Sequence, residues 1–318
     1  MNDATIKETS EVNINENTIC ETDHLAIVKI NGTDAQTFLQ GQFSNDINTL
    51  ENNQSQWNSY NSPKGRLYAT FRICKHAQDY YLLIPQDVVE PFVKRLRMFV
   101  MRSDVTLNNI SSTWQSLGFA GNELPIPTPS TEGEILQEND INWIKIPGTV
   151  PRVICFGEIP NIEKIKQQLV GKLTKTQSNH WRRLDIHAGI ANIFADTQEA
   201  FVAQMVNLQL IDGVSFTKGC YPGQEVVARM HYLGKLKKRM YRITINSTER
   251  PKLGENLYDS SSENQQSIGQ IVDVQKNEHN KLDALAVIQV AKVDSKTLHV
   301  AGLDKSEITV ESLPYSFE

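Results

Sequence analysis

One short segment of the sequence combines a cysteine with a lysine in a glycine-rich loop. Residues 216–229 read FTKGCYPGQEVVAR, with Lys218 and Cys220 close together and Gly219 and Gly223 beside them. Such glycines let a loop present backbone N–H groups to a ligand. A neighbouring ammonium and the start of the helix predicted next both favour a thiolate. A reactive Cys220 and a buried, inert cysteine behind an ordinary turn are equally good interpretations.

The residues that directly follow the loop are Gln224 and Glu225. An acidic first helical turn complements the helix dipole and accepts hydrogen bonds from free backbone N–H groups. We therefore expect both side chains to stabilise the start of a helix, in preference to a part in catalysis.

The possible metal ligands are dispersed along the chain. The cysteines show neither a CxxC pair nor a dense disulfide framework, and the histidines show no repeating ligand spacing. A protein that holds its own iron–sulfur cluster normally has clustered cysteines. We expect separate thiols and no stably bound metal; the residues concerned are Cys20, Cys74, Cys155 and Cys220, with His180, His187 and His231.

The composition is that of an ordinary soluble protein with more than one packed unit. The chain has 318 residues, of which 39% are hydrophobic and 22% charged, and its net charge is −5. Proteins that bind bare nucleic acid as their main partner rely on a basic surface that neutralises phosphates. We therefore expect no direct DNA binding, although a local basic strip remains compatible with this charge.

The N-terminal segment shows no targeting signal. Residues 1–19 are polar and acidic, without a basic start or an apolar run. We expect a disordered tail over these residues. No window of the chain approaches the roughly 20 apolar residues that span a bilayer. The prediction is a cytoplasmic protein with no membrane partner.

The hydrophobic periodicity predicts an α+β fold. Apolar residues recur with helical spacing in two segments and with strand character in several others. Three closely spaced prolines predict an exposed loop. The predicted elements are a strand at 25–30, a helix within 33–47, strands within 62–74 and 79–85, a helix within 85–102 and the loop at 122–140.

The same periodicity predicts the domain organisation. The strand–loop–helix pattern starts again after residue 110, so we expect two α+β units within residues 20–236. Helical spacing then disappears, and short apolar runs alternate with polar turns. This pattern predicts a small antiparallel β-barrel or sandwich over residues 237–318.

Several segments resemble one known family. Residues 201–229, FVAQMVNLQLIDGVSFTKGCYPGQEVVAR, resemble the signature of the YgfZ family, folate-binding proteins related to the T-protein (aminomethyltransferase) of the glycine cleavage system. Residues 32–47, 62–73 and 96–107 add weaker likenesses. The residues that match the signature are Lys218, Gly219, Cys220, Tyr221, Gly223, Gln224, Glu225 and Arg229.

The resemblance implies both a fold and a function. The fold would be a three-part cloverleaf, in which two interleaved, ferredoxin-like α+β units and the C-terminal barrel surround a central hole. That hole would hold tetrahydrofolate. The function would be the assembly or repair of iron–sulfur clusters, in support of iron–sulfur enzymes that include tRNA-modifying ones. Such enzymes, or cluster-assembly proteins, would be the partners.

The chain departs from the T-protein relatives at one point. Those enzymes carry aspartates, including the catalytic one, where Ala69 and Thr70 stand here. Without a carboxylate, no obvious group assists amine attack or proton transfer. The departure argues against aminomethyl transfer and leaves open whether the protein is an enzyme.

A second implied site lies in residues 179–190, NHWRRLDIHAGI, which resemble the segment that enters the folate hole. Trp181 offers a flat face for a pterin ring, and Arg182, Arg183 or Asp185 would meet the glutamate tail or the pterin edge. The alternative is an ordinary helix closed by Gly189, with the tryptophan in the core.

Three hypotheses for the function remain open. In the first, Cys220, aided by Lys218, works beside folate as a redox-active thiol or as a transient ligand to iron. The second is a folate-dependent one-carbon transferase, and the third a module that recruits partner proteins. The basic run at 235–239 is usually a solvated face, and its sharper interpretation is a site for a polyglutamate tail or RNA phosphate.

Overall fold

A computed structural model of the chain describes residues 13–261, 266–303 and 306–317. Five α-helices and three sheets make up these ranges. The helices are α1 (Ala35–Gln40), α2 (Val89–Val100), α3 (Ile159–Gln168), α4 (Ser178–Ala188) and α5 (Gln224–Leu233). The strands are β1 (Thr18–Glu21), β2 (Leu25–Asn31), β3 (Gln54–Asn61), β4 (Leu67–His76), β5 (Asp79–Pro85), β6 (Thr106–Asn109), β7 (Trp114–Ala120), β8 (Ile135–Glu138), β9 (Ile141–Ile146), β10 (Arg152–Glu158), β11 (Thr174–Thr176), β12 (Lys238–Asn246), β13 (Asn256–Asp259), β14 (Gly269–Lys276), β15 (Leu282–Gln289), β16 (Leu298–Val300) and β17 (Glu307–Glu311).

The first sheet has the order β3-β4-β5-β2-β6 and carries a core on one face. Side chains alternate along a strand, so Ala69 and Phe71 of β4 face this core together with Phe92 of α2. The intervening Thr70 and Arg72 point to the opposite face, and both are buried. The β4 strand therefore has a second buried surface, which is polar.

The second sheet has the order β11-β1-β7-β10-β9-β8. Its strands β7 and β10 contact α3, where Ile162 joins the core on that face. On its other face, Ile154 and Phe156 belong to one cluster with Cys74 and Leu83 of the first sheet and with Trp181 of α4. The two sheets and α4 thus share one interior.

The third sheet has the order β16-β13-β14-β15-β12-β17, and all its pairings are antiparallel. It curves into a nearly closed, barrel-like unit around a core of its own. This confirms the predicted α+β fold with a C-terminal antiparallel β unit. The cloverleaf about a central hole and the ferredoxin-like character of the other units stay predictions. Within the described ranges, no helix is long and apolar enough to cross a membrane.

Three predicted elements differ from the structure. The predicted tail over residues 1–19 ends too late, because Thr18 and Ile19 form β1, which pairs with both β7 and β11; residues 1–12 lie outside the described part. The predicted loop at 122–140 contains β8, which pairs with β9. The helix predicted within 33–47 ends at Gln40, where the chain turns away toward a bridge between Phe43 and Tyr60.

Helix α4 fastens the barrel to the first two units. Arg183 and His187, one turn apart on α4, both reach Asp283 of β15 at 2.8 Å. Asn277 donates a further hydrogen bond to Asp283 at 2.8 Å. Burial alone would raise the pKa of Asp283, but the hydrogen bonds from His187 and Arg183 outweigh it and hold the pKa well below its usual range.

We predict that Asp283→Asn lowers the free energy of unfolding by about 3 kcal/mol at pH 7, because it removes the buried carboxylate that Arg183 and His187 share. A lowered pKa means that the carboxylate stabilises the fold above the pKa of the unfolded state, and that this contribution is lost on acidification. Urea unfolding should therefore show a difference between wild type and variant that shrinks as the pH falls below the usual aspartate range. An equal difference at all acidic pH values would contradict this assignment.

Candidate functional site

The site is built where the segment at 218–223 meets the turn between β3 and β4. Gly223 precedes α5 with φ 78°, and Gly65 of the turn has φ 71°. A Cβ atom on Gly223 would lie 2.4 Å from the carbonyl oxygen of Ser62 and 2.6 Å from the Cα of Gly65. Both positions therefore require glycine for two reasons: the backbone is in the left-handed conformation, and the two segments approach too closely for a Cβ atom. The two segments that the resemblance singled out separately touch here.

Lys218 anchors this loop from inside the protein. Its Nζ donates hydrogen bonds to the carbonyl oxygens of Gln40 at 2.8 Å, Phe43 at 2.7 Å and Asn45 at 2.8 Å. Three acceptors match the three N–H donors of an ammonium group. Burial lowers the pKa of Lys218 to about 8, so the group is still mostly protonated at pH 7. The predicted catalytic part of Lys218 stays a prediction, and its contacts here are with backbone.

Cys220 is the accessible thiol of the chain. It is exposed, whereas Cys20, Cys74 and Cys155 are fully buried. Burial raises the pKa of Cys20 and of Cys74 to about 12, and it raises that of Cys155 as well. Since the thiolate is the nucleophile and the metal ligand, the buried thiols are inert. Cys220 is therefore accessible and not buried, and its reactivity stays a prediction.

The remaining residues of the loop hold its shape. Tyr221 is buried with its ring 5.3 Å from the Nζ of Lys218, and burial raises its pKa to about 12. The side-chain amide of Gln224 lies 3.4 Å from the carbonyl oxygen of Lys218. Glu225 is in the first turn of α5, as expected for a residue that complements the helix dipole. The exposed face of the loop is formed by Gly219 and Cys220.

The second implied site lies on α4, in the shared interior. Trp181 is 1% exposed, with the guanidinium of Arg152 5.1 Å from its ring centre and Gly118 against its benzo ring. Arg182 pairs with Asp273 at 2.6 Å. In this structure the tryptophan ring is enclosed by protein, so stacking of a pterin on it stays a prediction, as does ligand contact by Arg182.

Asp185 lies in a buried polar region beside this tryptophan. One of its oxygens accepts a hydrogen bond from Arg152 at 2.8 Å and the other from Asn192 at 3.0 Å. Burial raises the pKa of Asp185 in spite of Arg152. Each oxygen keeps a lone pair, so the carboxylate is able to accept further hydrogen bonds from a ligand.

A second buried arginine lies near this pair. Arg72 of β4 is 5% exposed and within electrostatic range of Asp185 and Arg152. Its guanidinium donates to the Oγ of Ser55 at 3.0 Å and lies 4.7 Å from the ring centre of Trp57. Burial lowers its pKa to about 10. In the described part of the chain, no carboxylate lies within ion-pair distance of Arg72. A buried charge without such a partner is costly, so this arginine is suited to an anionic ligand.

A cavity of about 870 Å³ is lined by the hydrogen-bond partner of this arginine, although not by Arg72 itself. It is lined by residues 52–55 and 131–137, so that Ser55, the hydrogen-bond partner of Arg72, forms part of its wall. Ligand pockets in proteins commonly measure roughly 300–1,000 Å³. The indole N–H of Trp57 is buried and has no partner in the structure. The region therefore offers space and an unused donor.

Sequence reasoning missed Arg72, Arg152 and the residues around them. A signal was present in β4, where strand alternation places Arg72 between Thr70 and Cys74 on a face that is otherwise fully buried. An arginine on such a face needs a partner. For Arg152, which precedes a wholly apolar run, the sequence gives no comparable signal.

The structure also places the residues that stand where the T-protein has aspartates. Ala69 faces the core of the first sheet. The hydroxyl of Thr70 donates to the carbonyl of Ala191 at 2.8 Å and accepts from the N–H of Ile193 at 3.1 Å. This hydroxyl ties β4 to the segment after α4 and is fully used in doing so. Across the described residues, no group of three or more His, Cys, Asp or Glu side chains is arranged for a metal ion.

Comparison with known proteins gives whole-length matches. No protein-family model matches the chain. Three of the similar curated proteins are each named tRNA-modifying protein YgfZ. The one from Colwellia psychrerythraea is 27% identical over 95% of this chain and 94% of the relative. Those from Yersinia enterocolitica and Escherichia coli are both 26% identical, over 94% of this chain and 92% of the relative in the first case and over 95% and 94% in the second. The resemblance to the YgfZ family is confirmed.

Solved structures extend the comparison to the fold. The aminomethyltransferase T of the glycine cleavage system from Bartonella henselae superposes with a TM-score of 0.72, covering 94% of this chain and 86% of that one. The two sequences are only 13% identical, so this match establishes a shared fold and nothing about activity. The chain thus resembles YgfZ proteins in sequence along nearly its whole length and has the architecture of an aminomethyltransferase.

We predict that Lys218→Met destabilises the fold by about 3 kcal/mol, since it removes three hydrogen bonds from a charged donor and leaves three carbonyl groups unpaired. Methionine keeps the apolar stem, so packing changes little. The measurement is urea unfolding at pH 7, with the exposed Lys172→Met as the control. An equally small effect in both variants would show that the three hydrogen bonds do not hold the loop.

Proposed function

We propose that this protein is a cytoplasmic, folate-binding protein that supports iron–sulfur enzymes, among them enzymes that modify tRNA. The likeness to proteins named tRNA-modifying protein YgfZ supports the link to tRNA modification. The aminomethyltransferase fold supports a ligand site in the interior shared by the first two sheets. Tetrahydrofolate is the ligand proposed for it, and Cys220 is the group proposed to act on a partner.

The observation that carries the folate proposal is the buried guanidinium of Arg72, whose hydrogen-bond partner Ser55 lines a polar cavity. The ligand must bring a negative charge, because Arg72 has only the hydroxyl of Ser55 as a hydrogen-bond partner among the described residues. The cavity of about 870 Å³ that Ser55 lines gives room for an extended ligand. The carboxylates of the glutamate tail of folate supply the charge, and the molecule is itself extended.

The polar atoms near Asp185 fit the other end of such a ligand. A pterin carries neighbouring N–H donors, and the Asp185 carboxylate keeps acceptor capacity beside Arg152 and Asn192. Trp181 lies on the same helix as Asp185 and adjoins Arg152, and we propose that a pterin ring reaches this tryptophan when folate binds. We propose that Asp185 orients the pterin and that Arg72 binds the carboxylate end. Bound folate would supply a one-carbon carrier and a reductant next to the protein.

The thiol of Cys220 is proposed to act outside the folate site. It is exposed on a loop that Lys218 and the Gly65–Gly223 contact hold in one conformation. A fixed, accessible thiol is suited to act as a redox-active group or as a transient ligand to the iron of a cluster that a partner carries. Lys218 is a positioning residue in this proposal. The exposed position of Cys220 allows a protein partner to reach it.

Aminomethyl transfer is not proposed. The enzyme with which the chain shares its fold is an aminomethyltransferase. The resemblance puts Ala69 and Thr70 where such enzymes carry aspartates, and the hydroxyl of Thr70 is bonded to backbone on both sides. A hydroxyl group in this state is no base at neutral pH. No observation on the structure favours a transferase over a protein that assists other enzymes.

The folate proposal is tested by calorimetric titration with tetrahydrofolate. We expect Arg72→Gln to weaken binding by about tenfold or more, the usual cost of losing a hydrogen bond to a charged group. The exposed Arg102→Gln removes the same charge from the surface and should leave the affinity unchanged. Failure of the wild-type protein to bind, or equal affinities in wild type and Arg72→Gln, would refute the proposed site.

The proposed action of Cys220 is tested in cells that lack their own copy of the protein. Cys220→Ser should fail to restore the activity of an iron–sulfur tRNA-modifying enzyme, measured as the level of its modified nucleoside. Cys155→Ala, which removes a buried thiol, should restore it. Calorimetry on Cys220→Ser should still show folate binding, because the thiol lies outside that site. Full restoration by Cys220→Ser would rule out the thiol as the acting group.

A further inference from the structure

The end of α5 and the linker after it form a surface unlike the rest of the molecule. Residues 229–239 include five Lys and Arg residues and no Asp or Glu, in a chain of net charge −5. Arg229, Lys235 and Lys237 are exposed. Within the described part of the chain, none of these three forms an ion pair. The surface is therefore a local concentration of uncompensated positive charge.

Aromatic rings lie within this positive surface. The rings of Phe216 and His231 are stacked, with centres 3.7 Å apart and planes inclined by 13°. Tyr232 meets His231 edge-on at 4.7 Å, and its side chain is 64% exposed. Leu233, next in the chain, is 85% exposed. Such exposure is uncommon for large apolar side chains and marks interaction sites when they cluster.

The stacking also fixes where this surface lies. Phe216 is two residues before Lys218, whose ammonium is anchored inside the protein. Because the ring of Phe216 stacks on His231, the last turn of α5 is held beside the start of the loop that carries Cys220. The aromatic and basic surface and the exposed thiol thus belong to one segment of the fold.

We propose that residues 229–237, together with Phe216, form a binding surface for single-stranded RNA, such as an unpaired loop of tRNA. Proteins that bind single strands combine cations that follow the backbone with aromatic rings on which bases stack. Arg229, Lys235 and Lys237 supply the cations, and Tyr232 supplies the exposed ring. A base-paired helix hides its bases and would use only the charges.

Charge complementarity is the reason for choosing RNA as the occupant. A polyanion gains from an unpaired basic surface because its counterions are released on binding. Lys235 and Lys237 are exposed on either side of the half-buried Leu236, in a linker that starts extended at Gly234. The inference names an RNA partner for the proposed function, but it rests on this surface alone and not on the folate site.

The test is fluorescence anisotropy with a labelled, unmodified tRNA transcript and a short single-stranded RNA. We expect Tyr232→Ala to weaken binding by about tenfold, because base stacking on an aromatic ring is lost, while Tyr232→Phe keeps the ring and the affinity. The double variant Lys235→Gln/Lys237→Gln loses two phosphate contacts. Each contact contributes roughly 0.7 to the steepness with which log affinity falls against log salt concentration, so this steepness should decrease by about 1.4.

A matched control separates this surface from general charge. Lys164→Gln/Lys172→Gln removes the same charge from exposed positions in and after α3 and should leave both affinity and slope unchanged. Equal losses in the two double variants would overturn the inference. So would equal binding of a DNA strand of the same sequence, or full displacement of RNA by a poly-glutamate peptide, since the occupant would then be another anion.

The failure of this inference is distinguishable from that of the proposed function. The Tyr232 and Lys235/Lys237 variants should bind tetrahydrofolate with the wild-type affinity, because they leave Arg72 and Asp185 unchanged. If wild-type protein binds folate but no RNA, the inference is wrong and the folate site remains. Loss of RNA binding in Arg72→Gln would also contradict the inference, because it would show that the RNA surface and the folate site are not separate.

Discussion

The ammonium of Lys218 is the contact on which the geometry of the candidate site depends. It replaces ordinary secondary structure as the partner of three carbonyl groups, those of Gln40, Phe43 and Asn45. These carbonyls are available because α1 ends at Gln40, well before its apolar pattern does. The early end of α1 thus leaves carbonyl groups free, and a lysine far along the chain binds them. Together with the Gly65–Gly223 contact, it holds the Cys220 loop against the first sheet.

Much of the fold could be predicted because its signals are local. Short β-prone apolar runs predicted β2, β4 and β5, and the loss of helical spacing predicted a C-terminal antiparallel β unit, whose first strand is β12. The predicted end of α1 was wrong for a reason that local spacing does not reveal. Phe43 and Ile47 keep helical spacing, but the carbonyl oxygens of Phe43 and Asn45 accept hydrogen bonds from the distant Lys218. Strand β8 was missed for a similar reason, because the polar segment around it gives no strand pattern and it is recognised only through its pairing with β9.

The candidate site could be predicted only in part. A reactive thiol followed from glycine, lysine and cysteine within a few residues, and Cys220 is the exposed cysteine. What the sequence could not show is which residues share an interior. Arg72, Arg152 and Asp185 come from three elements, and only the packing of both sheets with α4 brings them together. Trp181 was weighed as ligand contact or core, and its ring is enclosed between Arg152 and Gly118.

The hydrogen bond between Lys218 and Gln40 joins residues that are 178 positions apart. This separation determines how late the bond can form during synthesis of the chain. The first sheet and α1 leave the ribosome long before the lysine does, so the three carbonyls wait unpaired while the second unit is made. Contacts of such long range form late because the entropy of closing the intervening chain must first be overcome. The loop that presents Cys220 is therefore among the last parts to take its final conformation. A chain that stops short of Lys218 lacks the donor that these three carbonyls bind in the complete site.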